Sequence, residues 1–149
     1  MGVSSRTAVA VHALTFLARW EGDGLQSSNK VAESLESNPV LVRRILGLLR
    51  GKGLVSAVEG SGGGWRLARP AEAISLYDAY VAVESGEALL PVHAHPPSRT
   101  CMVGRHMQSL LEEEFAAAQR ALEERLSRTS IAEMLDRVVG RERVTNPRR

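Results

Sequence analysis

The sequence is poor in cysteine, with Cys101 as the single example in 149 residues. One cysteine excludes a disulfide within the chain and an all-cysteine zinc site within one subunit. A reactive thiol, a mixed-ligand site or a bond between subunits remains open. Any thiol chemistry of this protein must therefore centre on Cys101.

Long apolar runs are also missing. No stretch approaches the roughly 18 apolar residues that a membrane-spanning helix needs. Arg6, His12 and Arg19 interrupt the apolar N-terminal segment, which does not resemble a secretory signal. With 44% hydrophobic and 24% charged residues, the composition is typical of one folded domain, or of a small domain with an assembly element. We expect a cytoplasmic protein.

Enzyme motifs are absent from the sequence as well. We find no Ser-His-Asp, paired-carboxylate or nucleotide-binding arrangement. The glycine-rich run at 60–64 is not followed by Lys-Ser or Lys-Thr, and the next segment has the pattern of a strand rather than a helix. We therefore expect a protein that is not an enzyme.

Positive charge is present but unevenly distributed. Residues 1–70 carry nine Lys and Arg against five Asp and Glu, whereas the remainder carries ten against twelve. The pI is near 9.1. A basic first half and a slightly acidic second half favour a molecule that presents one face to phosphates.

A helix-turn-helix pattern follows the first predicted helix, which runs from Ser4 or Ser5 to about Trp20. A short helix is predicted from Asn29 to about Leu35, capped by Ser27 or Ser28. After a three-residue turn, Asn38-Pro39 supplies an N-cap and a proline at the first helical position. In this motif the second helix enters the major groove of DNA by its N-terminus.

The second helix of the motif divides into two faces. The face predicted to pack on the core contains Leu41, Ile45, Leu48 and Leu49. The opposite face, predicted to point outwards, contains Val40, Arg43, Arg44, Gly47 and Arg50. We expect Arg43 and Arg44 to read guanine edges, and Arg50, Lys52, Arg66 and Arg6 to meet phosphates.

A β-hairpin is predicted next, with strands at about 54–58 and 65–68 joined by the glycine run at 60–64. Such a hairpin beside a helix-turn-helix forms a wing. Its glycines permit positive backbone angles and a close approach to the DNA backbone. The predicted fold class is therefore mainly α with a small β-hairpin, a winged helix-turn-helix domain over residues 1–86.

The second half is predicted to serve assembly and sensing. A helix from Pro70 to about Glu84 precedes an irregular loop at 87–102, which holds three prolines, two histidines and Cys101. A dimerisation helix at about 104–126 and a closing helix at 131–139 make up the segment 103–139, before a basic tail at 140–149. The apolar stripe expected to meet a partner subunit contains Met107, Leu110, Leu111, Phe115, Ala118, Leu122 and Leu126.

Three segments carry a resemblance to a known family: NPVLVRRILGLLRGKGLV, GGGWRLARPAEAISLYDAYVAVE, and Cys101 just ahead of the long helix. Over roughly Ser5 to Leu135 the chain resembles the Rrf2 family of bacterial winged helix-turn-helix regulators. That family includes the iron-sulphur cluster regulator and the nitric-oxide-sensing repressor. The segment from Leu90 to Leu135 is similar to the family's single-cysteine, YwnA-like branch.

The resemblance implies a transcriptional regulator, most simply a repressor, that binds double-stranded DNA as a homodimer on an inverted-repeat operator. Its wings would lie at the flanking minor grooves. The positions that match recognition-helix contacts are Asn38, Val40, Arg43 and Arg44, and those that match the wing are Gly63, Gly64 and Arg66. We add Ser28, at the start of the motif's first helix, to the predicted DNA-binding residues.

The sequence departs from the family pattern at two places. Glu59 stands where cluster-type members often carry an arginine that enters the minor groove. The iron-sulphur members use three loop cysteines, whereas only the last has a counterpart here, and Gly104 replaces a histidine that some members place three residues after it. We therefore expect no cofactor and no bound metal.

The signal remains open between several hypotheses. Cys101 lies at a helix N-terminus between Arg99 and Arg105, where thiolate is favoured, so it could act as a redox or electrophile switch. It could equally be a small apolar side chain packed under the loop. His93, His95, Cys101 and His106 could sense a metal or small molecule. A winged-helix module that binds a protein instead of DNA is a further alternative, and loss of salt-sensitive duplex binding would reveal it.

Overall fold

The computed structural model describes residues 4–148, and Arg149 of the predicted tail lies outside them. Within that range six α-helices and a two-stranded hairpin follow in the order α1, α2, α3, β1, β2, α4, α5 and α6. The helices are α1 (Arg6–Arg19), α2 (Ser28–Leu35), α3 (Pro39–Gly51), α4 (Leu76–Val83), α5 (Met102–Ser127) and α6 (Ile131–Thr145). The strands are β1 (Val55–Val58) and β2 (Gly64–Leu67), and short 3-10 turns lie at Glu21–Asp23 and Ala71–Ala73.

The core lies between α1, α3, α4 and the hairpin. Leu14 and Leu17 of α1 pack with Ile45 and Leu49 of α3 in one buried cluster, which also includes Ile131 at the start of α6. α6 packs on α1, and α5 packs on α4. The C-terminal helices therefore share a framework with the winged-helix half.

The helix-turn-helix forms at the predicted residues because both of its helices are capped. The Ser27 side chain accepts a hydrogen bond from the Lys30 amide at 3.2 Å, and the Asn38 side chain accepts one from the Val40 amide at 2.8 Å. Between them Glu36 adopts a left-handed conformation with φ 47°, which ends α2. The predicted motif is confirmed.

The predicted inward face of α3 is partly wrong. Leu48 is 40% exposed, whereas Val42 and Leu46 are fully buried beside Ile45 and Leu49. Leu41 is only partly buried. The buried set recurs at positions i, i+3, i+4 and i+7, the spacing of one helix face, so this face is rotated from the predicted one and leaves Leu48 at its edge. Val40, Arg43, Arg44 and Arg50 are exposed as predicted.

The wing is an antiparallel hairpin in which Val55 pairs with Leu67 and Val58 with Gly64. A third segment extends this sheet. Gln26, just before the N-cap of α2, donates its amide hydrogen to the Trp65 carbonyl at 2.9 Å and accepts one from the Trp65 amide at 2.8 Å. This pairing attaches the wing to the helix-turn-helix.

The helix predicted to begin at Pro70 begins six residues later. Ser75 caps α4 in a reciprocal box with Asp78. Pro70 is followed by the short 3-10 turn at Ala71–Ala73 and then by extended Ile74 and Ser75. This extended segment pairs with the α5–α6 turn: the Ile131 amide donates to the Ile74 carbonyl at 2.8 Å, and the Leu76 amide donates to the Thr129 carbonyl at 2.9 Å. Pro70 therefore does not start the helix, because the following segment pairs with a distant turn that the local sequence does not reveal.

α5 and α6 are the predicted long and closing helices, with different limits. α5 begins at Met102, two residues before the expected start, and α6 continues to Thr145. The tail predicted from residue 140 is therefore helical for much of its length. Gly140 does not stop the helix, which ends instead just before Asn146-Pro147, where a residue preceding proline disfavours helical geometry.

In the part of the chain that the structure describes, no helix is both long enough and apolar enough to cross a bilayer.

Candidate DNA-binding surface

The outer face of α3 presents the predicted recognition residues together. Val40 is 56% exposed in the first turn, and Arg43 and Arg44 are exposed in the turn that follows. Among residues 4–148, neither arginine forms an ion pair with a carboxylate. Both guanidinium groups are therefore free to meet an external acceptor.

Asn38 and Ser28 have structural roles at the helix starts. The Asn38 side-chain oxygen is engaged by the Val40 amide at 2.8 Å, so the cap alone accounts for this residue type. Ser28 is the half-buried first residue of α2, while the cap is supplied by Ser27. Their positions at the starts of α2 and α3 therefore explain both residues without DNA.

The opposite end of α3 holds Arg50 and Lys52. The Arg50 guanidinium carbon lies 5.6 Å from the centre of the Trp65 ring, over its face. This distance is within the range of a cation–π interaction. Lys52 follows the end of the helix and is exposed. The wing and the recognition helix thus touch through Arg50 and Trp65.

Gly63 and Gly64 are required by the protein's own packing. A Cβ on Gly63 would lie 2.1 Å from the Val58 carbonyl oxygen, and a Cβ on Gly64 would lie 2.7 Å from the Gln26 carbonyl oxygen. Either side chain would force the backbone apart. These glycines therefore permit close backbone contacts within the chain, and their approach to DNA stays a prediction.

The remaining predicted contacts lie around the wing and α1. Arg66 is exposed on β2 opposite Ser56 and lines a shallow groove together with Glu21. Arg6 is the exposed first residue of α1. Glu59 is exposed at the start of the wing tip, where its negative charge repels phosphate. The wing thus carries both a favourable and an unfavourable charge for DNA.

Cys101 is exposed and occupies the N-cap position of α5. The backbone amides of Gly104 and then Val103 hold the pKa of its thiol below the usual value, against a smaller opposing effect of desolvation. An exposed thiol with a lowered pKa has more thiolate at neutral pH. Within the described chain Cys101 is therefore not packed under the loop.

The loop before α5 is held close to that helix. The Ser98 side chain accepts a hydrogen bond from the Cys101 amide at 3.3 Å, and a Cβ on Gly104 would lie 2.2 Å from the Ser98 carbonyl oxygen. No side chain fits at position 104 while the loop keeps this path. Gly104, which replaces the histidine of some family members, therefore allows the loop to pass this close to α5.

The predicted metal or effector set is not assembled. His93, His95 and His106 are exposed, and across residues 4–148 no three His, Cys, Asp or Glu side chains come together in a way that could hold a metal ion. The hypothesis of a metal-sensing cluster therefore gains no support from the arrangement within one chain.

The stripe predicted for dimerisation is divided between two sides of α5. Met107, Leu111, Phe115, Leu122 and Leu126 are half-buried, on the same side as Gln119, which donates a hydrogen bond to the Tyr80 hydroxyl of α4 at 3.3 Å. Leu110 is 52% exposed and Val103 57% exposed. The exposed apolar residues of α5 are Met102, Val103, Leu110, Ala116, Ala117, Ala118 and Ala121. Of these, Val103, Leu110, Ala117 and Ala121 share one side of the helix.

Sequence reasoning missed Trp65 and Gln26. Their backbone pairing joins the wing to the start of α2, and the Trp65 side chain packs against the core. One signal was available in Trp65, a large aromatic residue directly after a glycine run in a chain with only 4% aromatics. Gln26 offered no signal, because its pairing depends on the tertiary fold.

Comparison with known proteins gives consistent results. Residues 3–137 match the family described as Rrf2, iron-dependent transcriptional regulator. The chain is 36% identical to YwnA of Bacillus subtilis, named as an HTH-type transcriptional regulator, over 90% of this chain and 97% of that protein. It is 34% identical to the HTH-type transcriptional regulator IscR of Cereibacter sphaeroides, over 74% and 71% of the two chains. The solved structure of T. potens IscR is similar in fold, with a TM-score of 0.70 at 24% identity over 93% and 88% of the chains.

The iron implied by the family description does not fit the residues that this chain offers. The sequence supplies one cysteine thiolate, where an iron–sulphur cluster takes about four protein ligands. The contact between Ser98 and Gly104 also leaves no space for a ligand side chain at position 104.

Proposed function

This chain belongs to the Rrf2 family of winged helix-turn-helix transcriptional regulators, and we propose that it is a repressor that binds an inverted-repeat operator as a homodimer. One observation carries the DNA-reading part of this proposal. The outer face of α3 presents Val40, Arg43 and Arg44 to solvent, opposite a fully buried face. A helix held rigidly from behind and bearing unpaired arginines in front is suited to the major groove.

The two ends of α3 have different tasks in this proposal. Arg43 and Arg44 lie near the N-terminus, which enters the groove first, and an arginine that forms two hydrogen bonds with guanine contributes about 1–3 kcal/mol of discrimination. Arg50 and Lys52 lie at the C-terminal end of α3, Arg66 lies on β2 and Arg6 begins α1. In this proposal they contact phosphates, which adds affinity without sequence preference.

A second copy of the chain covers α5 in the proposed dimer. α5 is 26 residues long, and residues 4–148 leave none of its side chains buried. Val103, Leu110 and Ala117 recur every seven residues along its uncovered side, the repeat typical of packed helix pairs. The alanines at 117, 118 and 121 permit close approach of a second helix. Two subunits joined in this way would present two recognition helices to two half-sites.

Cys101 is the proposed signal-sensing residue. Its thiolate attacks a hydroperoxide, so that a sulphur–oxygen bond forms, the oxygen–oxygen bond breaks, and water or an alcohol leaves after taking up a proton. The product is a sulfenic acid, in which the cysteine is oxidised and the peroxide is reduced. Oxidation replaces the thiolate at the N-cap position of α5 with the larger sulfenic acid group and so changes the junction between the loop and the dimer helix.

Selection of bound duplexes from a random pool, under reducing and then peroxide-treated conditions, tests the proposal. Under reducing conditions we expect enrichment of an inverted repeat with half-sites about one helical turn apart. Peroxide should lower binding of the wild-type protein to the selected duplex and leave the Cys101→Ser variant unaffected.

DNA reading, the homodimer and the role of Cys101 are each contradicted by a different result. Failure to enrich any duplex at low salt would overturn DNA reading by this chain. Enrichment of a single half-site would overturn the homodimer. An equal response of wild type and Cys101→Ser to peroxide would overturn the role of Cys101 and leave the DNA-binding proposal standing.

A further inference from the structure

Trp65 connects three parts of the DNA-binding half. Its backbone forms two hydrogen bonds with Gln26, at 2.8 and 2.9 Å, just before α2. Its strand neighbour across the hairpin is Ala57, and its side chain packs on the buried core. Its ring face lies under the guanidinium group of Arg50, in the last turn of α3. Trp65 therefore contacts segments before and at the end of the helix-turn-helix, as well as the wing that contains it.

The contact restricts Arg50 in a way that Arg43 and Arg44 are not restricted. A long arginine side chain on an exposed helix end samples many rotamers, and fixing it on binding costs free energy. A ring face within about 6 Å holds the planar guanidinium group in advance while leaving its N–H donors available. Arg50 lies at the point where α3 meets the wing, so an ordered guanidinium group is presented at the junction of the two elements.

We propose that Trp65 is a positioning residue for operator binding: it fixes the wing against α3 and holds the Arg50 guanidinium group in place to contact a DNA phosphate. This inference rests on the proposed function for its DNA contact, but the ordering of Arg50 is a property of the free protein. The Trp65 ring then has two roles, packing against the core and ordering Arg50.

The first test measures Arg50 without DNA. We expect the Nε–Hε group of Arg50 to show a higher NMR order parameter than those of Arg43 and Arg44, which serve as unrestricted arginines on the same helix. In the Trp65→Leu variant, which keeps an apolar side chain without a ring, the Arg50 value should fall to theirs. In Trp65→Phe it should stay close to the wild-type value.

The second test measures the salt dependence of binding to the selected duplex. Removal of one phosphate contact lowers the slope of log affinity against log salt by about one. We expect this decrease in Arg50→Gln and in Trp65→Leu, and no further decrease in the double variant. Trp65→Leu should also raise Kd about two- to fivefold, the range of an exposed cation–π contact, and Trp65→Phe should restore wild-type behaviour.

The chain offers a matched control in Arg19, whose guanidinium carbon lies 4.7 Å from the centre of the Trp20 ring at the end of α1. Arg19→Gln removes the same charge from the same kind of pair and should leave the slope unchanged. A wild-type slope in Trp65→Leu, a further loss in the double variant, or an equal loss in Arg19→Gln would overturn the inference.

Failure of the proposed function gives a different pattern. A wild-type protein that binds no duplex would overturn DNA reading, whereas the order parameter of Arg50 would still decide whether Trp65 holds it. An Arg50 as mobile as Arg43 in the wild-type protein would overturn the inference even if DNA binds tightly.

Discussion

The helices α3 and α5 are both amphipathic, but only α3 has its apolar face buried by the rest of the chain. α3 buries Val42, Ile45, Leu46 and Leu49 almost completely and exposes arginines. α5 is twice as long, at 26 residues against 13, and buries no residue against the described chain. A helix whose apolar face is already covered has its polar face available for a ligand, whereas a helix with an uncovered apolar side needs a partner. This contrast supports the proposed roles of α3 in DNA recognition and of α5 in assembly.

The same substitution in the two helices should have very different costs. Leu46→Ala should lower the free energy of unfolding by about 2–5 kcal/mol, because it leaves a cavity beside fully buried neighbours. Leu110→Ala removes a half-exposed side chain and should lower Tm only at protein concentrations at which two copies associate. Urea and thermal unfolding over a range of concentrations measure both effects. Equal, concentration-independent costs would contradict the distinction between the helices.

A charge on the uncovered side of α5 tests assembly without disturbing the core. Leu110→Glu should shift the protein from dimer to monomer in analytical ultracentrifugation, because the interface would bury an unpaired carboxylate. Ala116→Glu places the same group six residues further along the same helix, on another side, and should leave the dimer intact. Dissociation of the dimer by both variants, or by neither, would contradict the proposal that the Leu110 side of α5 forms the dimer interface.

Gly104 near the start of α5 and Gly140 in α6 are both helical glycines, but alanine should have opposite effects on stability at the two positions. Gly140→Ala in α6 has open space around the new Cβ and should stabilise the protein by about 0.5–1 kcal/mol. Gly104→Ala should instead destabilise it by about 1–3 kcal/mol, since the Cβ would overlap the Ser98 carbonyl and displace the loop. Thermal unfolding of the two variants side by side checks the opposite signs. A gain of stability from both would show that the loop does not rest on α5.

The smallest expected effect concerns pH and His12, in the well-packed half. Partial burial holds the pKa of His12 below its usual 6.5, and its Nε2 atom lies 2.8 Å from the Ser34 hydroxyl oxygen. The unfolded chain then takes up a proton first as pH falls, so this contribution to stability is present above pH 6.5 and decreases below it. Urea titrations at pH 8 and pH 5.5 should show a smaller pH dependence for His12→Gln than for wild type. Identical dependence would contradict the pKa direction.

Local signals were sufficient for much of the fold. Asn38-Pro39 set the start of α3, and the glycine run at 60–64 marked the hairpin, because capping and turn geometry depend on a few neighbouring residues. The long apolar period of α5 was similarly clear. The resemblance to the Rrf2 family, carried by the recognition-helix and wing segments, is confirmed by the match over residues 3–137.

Tertiary contacts explain where the sequence was insufficient. Pro70 suggested a helix start, but Ile74 pairs with Ile131 and stays extended until Ser75 caps α4. The close contact of Gly64 with the backbone of Gln26 was also not predicted, because it depends on the tertiary fold. The roles of individual residues at the candidate DNA-binding surface remain predictions, because they depend on a partner molecule as well as on this chain.

The central claim is that Arg43 reads bases whereas Arg50 contacts a phosphate. Competition binding of wild type, Arg43→Ala and Arg50→Gln to the selected operator against random duplex tests it most directly. Arg43→Ala should weaken operator binding by about 1–3 kcal/mol with little change for random duplex, and so reduce the specificity ratio. Arg50→Gln should weaken both by the same factor and keep that ratio. Equal weakening of operator and random duplex by Arg43→Ala would contradict the account.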